Sequence, residues 1–296
     1  KTAYAIAACP VGAERCITDC NEIWEFYLGT KEFKPNSIKK EIQRYNRHIY
    51  PYWCNKDFNT LCSRDIILYR QYLAKKNLSQ QSVKHCMSLL RRAVNRAIKL
   101  DLLPIQLPYF EMPVTNNARI RFLSQHEANL LLDALHKKNE LWHDIALFAL
   151  HTGMRAGEIF SLQPANIDWV QNAVVLFETK NNITRIIPLN DIASSIVIKY
   201  YKKKMQYLFS ETPILQVSKI FRETVKNTRL NQNISDRRNK VVFHTLRHTF
   251  ASWLVQNGVS LPVVGNLLGH KDLKMTMRYA HLAPDQNRYA VMLLQQ

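Results

Sequence analysis

Nowhere in the 296 residues does an apolar run approach the roughly 20 needed to cross a bilayer, and no charged start leads into an apolar signal core. A soluble, cytoplasmic protein without membrane contact is the expectation. Cysteine is confined to the first third (Cys9, Cys16, Cys20, Cys54, Cys62, Cys86), irregularly spaced and without a CxxC pair. That disfavours a zinc site with His48 or His85 and favours buried reduced thiols. Seven glycines exclude a collagen-like chain, and 47% hydrophobic with 10% aromatic residues excludes a disordered one. There is no internal repeat or long low-complexity tract. Acidic residues are scarce, 23 against 41 lysines and arginines, which leaves a formal charge of +18.

That surplus points to a polyanionic partner, with nucleic acid first. It is spread along the chain, about +8 over residues 1–113 and +10 beyond, so neither half is merely a basic tail. The length allows about two domains. The chain opens at Lys1, not at methionine, and reads as a fragment or processed form.

From Ile17 to about Leu103 the apolar spacing is helical, in Ile23–Leu28, Ser37–Ile49, Arg64–Lys75 and Ser79–Leu100, which predicts a small bundle. Pro104, Pro108 and Pro113, followed by Thr115-Asn116-Asn117, predict a linker at about 104–120. Domains are expected at 1–112 and 113–296. Ser124 with Glu127 has capping-box spacing and opens a helix. Trp142–His151 reads as a buried helix stopped at Thr152-Gly153, with a short helix at Ala156–Leu162, so Arg155 sits at the corner between them. Ala173–Thr179 and Ile183–Leu189 read as a hairpin around Lys180-Asn181-Asn182. Helical patterning resumes at Ile192–Phe209 and Ser218–Lys226, and Asn227–Lys240 reads as a loop.

Two later segments carry candidate chemistry. In VVFHTLRHTFASWLVQNG, His244 and Arg247 lie three apart at a helix start, where a phosphate is well received. In VVGNLLGHKDLKMTMRYAHL a short apolar helix ends at Gly269, His270 follows, and Tyr279 comes nine residues later in a basic helix. Taken singly, a surface arginine or a half-buried tyrosine is the commoner explanation.

Together these segments resemble the tyrosine recombinase (phage integrase) family. Its pattern is matched over about 120–285 by HTGMRAGEI with Arg155, ETKNNITRIIPL with Lys180, HTLRH with His244 and Arg247, and LLGHKDLKMTMRYAH with His270 and Tyr279. The helical N-terminal region resembles the family's core-binding domain in length, basicity and helicity only. The resemblance implies a mainly α fold with a small antiparallel β-sheet. In it, a helical core-binding domain and a catalytic domain form a C-shaped clamp on double-stranded DNA. It also implies site-specific recombination, most simply integration and excision of a phage or related mobile element.

The chemistry explains the residue set. Displacement at a phosphodiester loads charge on two non-bridging oxygens, which the forked guanidiniums of Arg155 and Arg247 can clamp. Tyr279 is the nucleophile and needs a proton acceptor, for which His244 is the candidate. Lys180 would protonate the departing 5′ oxygen, and His270 would donate to a non-bridging oxygen. Glu158 is either a positioning partner of the arginine site or an ordinary helical charge pair with Arg155. The resemblance implies a covalent 3′-phosphotyrosyl intermediate that conserves bond energy, with neither ATP nor metal nor other cofactor.

His244 and His248 are four apart as in zinc proteases, but Thr245 stands where HExxH needs glutamate, and a structural role is expected for His248. Arg185 and Lys202–Lys204 rival Lys180, given the uncertain hairpin boundaries. No role is assignable to His281. The apolar tail residues Val291–Leu294 would pack on their own domain or dock on a neighbour. The family resemblance favours the neighbour, in a homotetramer on paired DNA sites coupled by tail exchange. Phage members commonly carry an upstream arm-binding domain, which would bring accessory DNA-bending proteins as further partners. The rival readings are a type IB topoisomerase and a non-catalytic DNA-binding protein of the same fold.

Overall fold

A computed structural model describes residues 19–30, 35–115, 121–178 and 183–284. The chain divides into two compact units, residues 1–117 and 118–296.

Among its described residues the first unit has helices and irregular connections but no strand. Its helices are α1 (Cys20–Gly29), α2 (Pro35–Arg44), α3 (Tyr50–Trp53), α4 (Ser63–Lys75) and α5 (Gln80–Ile98), with a π-turn over Tyr45–Ile49 before α3. Pro51 has no N–H to give to the ladder, and the widened turn just before it accommodates the loss. Asp19 and Ser79 cap α1 and α5 through their side-chain oxygens. Trp24, Tyr45, Trp53, Phe58, Tyr69 and Met87 fill the core. Cys20 and Cys86 are buried free thiols as expected, whereas Cys54 is half-buried and Cys62 exposed. Cys9 and Cys16 lie outside the described residues.

The second unit opens with α6 (Gln125–His136), where the expected capping box forms. Glu127 N–H donates to Ser124 Oγ (3.1 Å) and Ser124 N–H to Glu127 Oε2 (2.9 Å). α7 (Glu140–Thr152) is mostly buried and stops at Gly153, and α8 (Ala156–Phe160) follows directly. A three-stranded antiparallel sheet then runs in the order β1 (Ile167–Asp168), β2 (Ala173–Glu178), β3 (Ile183–Pro188). The two-residue β1 is too short to leave a pattern in sequence. The hairpin tip, Lys180 included, lies outside the described residues.

α9 (Asp191–Tyr201) ends eight residues before the predicted boundary at Phe209. Three successive lysines repel one another there, and Lys204 takes φ 51°. The turn lets Leu208 N–H bond Leu162 O and returns Leu208 and Phe209 to the core. α10 (Lys219–Asn227), α11 (Phe243–Gln256) and α12 (Leu261–Leu268) complete the unit, followed by 3-10 turns at Leu273–Met275 and Met277–Leu282. Tyr279 therefore sits in a 3-10 turn, not in the basic helix predicted for it. Among the described residues no helix is long and apolar enough to cross a membrane.

Candidate functional site

The site is assembled by four short pieces: the α7–α8 corner, β3, the start of α11, and the segment from the end of α12 to Leu282. Two glycines allow the backbone to come together. Gly153 closes α7 at φ 61°, and a Cβ there would lie 2.3 Å from Phe250 Cδ1. Gly269 closes α12 at φ 63°, and its Cβ would lie 2.3 Å from Arg185 Nη1. Both turns need the left-handed conformation and an absent side chain.

The carbonyls exposed by those turns are what the arginines grip. Arg247, 4% exposed one turn into α11, donates from Nη1 to Gly153 O (2.7 Å) and from Nη2 to Leu268 O. Arg155 donates from Nη1 to Glu158 Oε1 (2.7 Å) and from Nη2 to Gly269 O (3.3 Å). Arg185 donates to Leu268 O (2.7 Å) and to Glu158 Oε2 (2.6 Å). Three guanidiniums thus meet the C-terminal carbonyls of one helix, where its dipole favours cations.

Glu158 pairs with Arg155 in its own turn and with Arg185 across the fold. Burial opposes its ionisation, but Arg185 and Arg155 outweigh that and hold its carboxyl below the usual range. Arg247 is pulled down to about 10 by burial and by the neighbouring Arg155, and it remains a cation at neutral pH.

His270 follows Gly269 and its Nδ1 pairs with Thr276 Oγ1 (2.8 Å). Burial first, then Arg247 and Arg155, lower it to about 4, so its ring is neutral at pH 7. Tyr279 is 5% exposed, packed with Ala251, Val255, Val264 and Leu268. Burial pushes its phenol up to about 12 against the opposing fields of Arg278 and Arg247. Its hydroxyl lies 2.5 Å from Nδ1 of His248.

Arg155, Glu158, Arg247, His270 and Tyr279 are therefore drawn into one network, through shared carbonyls, ion pairs or mutual fields. His244 is exposed on α11, its ring edge-on to His248 at 4.8 Å. Lys180 lies outside the described residues.

Two residues of the network escaped the sequence-based site. Arg185 was weighed only as a rival to Lys180, although Ile187 and Leu189, which share its strand face, are both buried. A cation on the inward face of an apolar strand was the available signal. His248, given a structural role, is one turn beyond His244 and bonds the very hydroxyl in question.

A likeness to known proteins accords with this geometry. The model of the phage integrase family matches residues 121–286. The chain belongs to the phage integrase family. The integrase of Salmonella phage P22 is 32% identical over 212 residues, covering 67% of this chain and 52% of that protein. The chain thus spans about half the length of that relative. Two solved structures share the fold. One is a lambda integrase dimer bound to a COC′ core site (TM-score 0.73, 17% identity, 90% of this chain and 78% of that one). The other is a lambda integrase tetramer bound to a Holliday junction (TM-score 0.71, 16% identity, 92% and 78%). Of the residues that carry the sequence resemblance in this family member, Arg155, Arg247, His270 and Tyr279 lie in the network, and His244 stands exposed beside His248.

Proposed function

We propose that this chain is a site-specific tyrosine recombinase that breaks and rejoins DNA, serving integration and excision of a phage or related mobile element. The observation that carries the reading is the convergence of Arg155 and Arg247 on the Leu268–Gly269 turn, with Tyr279 in the field of Arg247. Planar forks fixed by backbone carbonyls are preorganised for the two non-bridging oxygens of a phosphodiester.

Tyr279 attacks phosphorus and becomes linked to the 3′ phosphate. The 5′ oxygen leaves with a proton from Lys180, and His270 donates to a non-bridging oxygen. Glu158 holds Arg155 in place. For the proton of Tyr279, α11 offers two imidazoles one turn apart, His244 and His248. The phosphotyrosyl bond conserves the energy of the phosphodiester, so the reaction balances without ATP, metal or cofactor.

Each of the two units contacts duplex DNA, as the surplus of basic residues in both supports. Four protomers work on paired sites and exchange their C-terminal tails. The apolar residues Val291–Leu294 and the likeness to a tetrameric lambda integrase support this. Recombination of this kind also admits accessory DNA-bending proteins.

Covalent capture tests the reading. Wild type and Tyr279→Phe are incubated in EDTA with sheared genomic DNA from the source organism, detergent-resistant adducts are recovered, and the cleaved ends are sequenced. Adducts at a few discrete sites, absent from the mutant, are expected. Scattered adducts would indicate a topoisomerase, and salt-sensitive binding without adducts a non-catalytic DNA-binding protein.

A further inference from the structure

His248 lies on the buried face of α11, 5% exposed, with its Nδ1 2.5 Å from the hydroxyl of Tyr279. That hydroxyl is the reacting atom in the recombinase reading, on which the following rests. We propose that His248 is the residue that takes the proton of Tyr279 when the phenol attacks DNA.

The surroundings narrow the choice. Arg247 and Arg278, whose fields reach Tyr279, are cations and accept nothing. His270 has its Nδ1 engaged by Thr276 Oγ1 (2.8 Å). His244 is exposed, its ring edge-on to His248. His248 alone among these histidines has a hydrogen bond to the phenol within the described geometry, and a general base must first be within reach of its proton.

The step balances. The Tyr279 O–H bond breaks as the oxygen–phosphorus bond forms, and the proton passes to Nδ1 of the His248 imidazole, a step that requires the resting ring proton to be on Nε2. The phosphorus–O5′ bond breaks, and the 5′ oxygen leaves with a proton from Lys180. On rejoining, the 5′ hydroxyl attacks, the phenolate departs, and His248 returns the proton to it. An imidazolium at His248 would face Tyr279 from the 3-10 turn and His244 from its own helix, beside a phenol that the fields of Arg278 and Arg247 reach. The negative phosphate of bound DNA offsets that crowding of positive charge, which ties proton transfer to the presence of substrate.

The decisive variant is His248→Asn, whose side-chain oxygen can stand in place of Nδ1 and accept the hydrogen bond but cannot take up a proton. Its adduct formation is measured against pH on a synthetic duplex bearing a captured site. One version of the duplex has an ordinary phosphodiester, and the other a 5′-bridging phosphorothiolate, whose sulfur leaves without protonation. A fall of about 100-fold or more with both duplexes, and loss of the acidic limb of the pH profile, is expected. Rates within about threefold of wild type would show that the hydrogen bond only positions the tyrosine, and would overturn the proposal. Rescue by the sulfur leaving group would assign His248 to the other oxygen, and persistence of the acidic limb in His248→Asn with its loss in His244→Asn would assign the base to His244. Either outcome also overturns it.

A second measurement needs neither DNA nor a folded His248 variant. In the DNA-free chain labelled with 15N-histidine, the His248 signals are assigned by their change in Tyr279→Phe. An unprotonated Nδ1 is expected, and a proton resident on Nδ1 would overturn the proposal. Absence of adducts from wild type itself would instead sink the recombinase reading, and the tautomer result would stand apart from it.

Discussion

Gly269 and Arg185 are in such close approach that the glycine's missing side chain is part of the site: a Cβ at residue 269 would lie 2.3 Å from Nη1 and 2.8 Å from Cδ of Arg185. The αL turn at Gly269 also delivers the carbonyls that Arg155, Arg185 and Arg247 grip. Gly269→Ala should therefore cost about 1–2 kcal/mol from the left-handed backbone, with more from the displaced guanidinium. Urea unfolding measures that loss. Adduct formation should fall more steeply than stability, and a variant of unchanged activity would show that Arg185 does not position the clamp.

Removing the guanidinium of Arg185 leaves Glu158 with Arg155 as its remaining ion-pair partner. Arg185 is 7% exposed, and breaking one side of a buried pair typically costs about 3–5 kcal/mol. Arg185→Met is expected in or just below that range by chemical denaturation, and Arg185→Lys, which keeps the charge but loses the fork, in between. Equal stability of Lys and wild type would mean that charge alone suffices.

Arg247→Lys separates binding from chemistry. One lysine ammonium cannot span Gly153 O and Leu268 O while presenting a flat fork to a phosphate. Adduct formation should drop about 100- to 1000-fold, the range found when one stabilising donor is removed. DNA affinity, titrated at fixed salt, should change only a few-fold because many other cations contribute.

The depressed histidines make stability depend on pH in one direction. His270, lowered to about 4, binds its proton more weakly folded than unfolded, so its contribution is complete above about pH 6.5. It is lost as pH falls from there through about 4. His48, His85 and His151 are also shifted down, burial being the leading cause for each, and they add to the same slope. His270→Gln should flatten the decline between pH 6.5 and 4 in a series of urea melts. An unchanged slope would place the pH sensitivity with the other three.

The helices could be read from the chain because their signals are local. Ser124 with Glu127 marks the start of α6, Gly153 and Gly269 mark the ends of α7 and α12, and the apolar period of 3.6 marks what lies between. Arg155, Arg247, His270 and Tyr279 could be named as well, because their order and spacing follow a family pattern. What only the tertiary structure decided is who touches whom. Arg185 and Leu268 stand 83 residues apart, yet they are joined by a hydrogen bond. His248 and Tyr279, 31 apart, meet only because the 3-10 turn packs against α11. A strand's alternation tells that Arg185 points inward but not which carboxylate waits there. A helix tells that His248 follows His244 by one turn but not that a phenol faces it. Local sequence sets φ, ψ and the face of each element, and partners across the fold are chosen by packing, which no short window of residues contains.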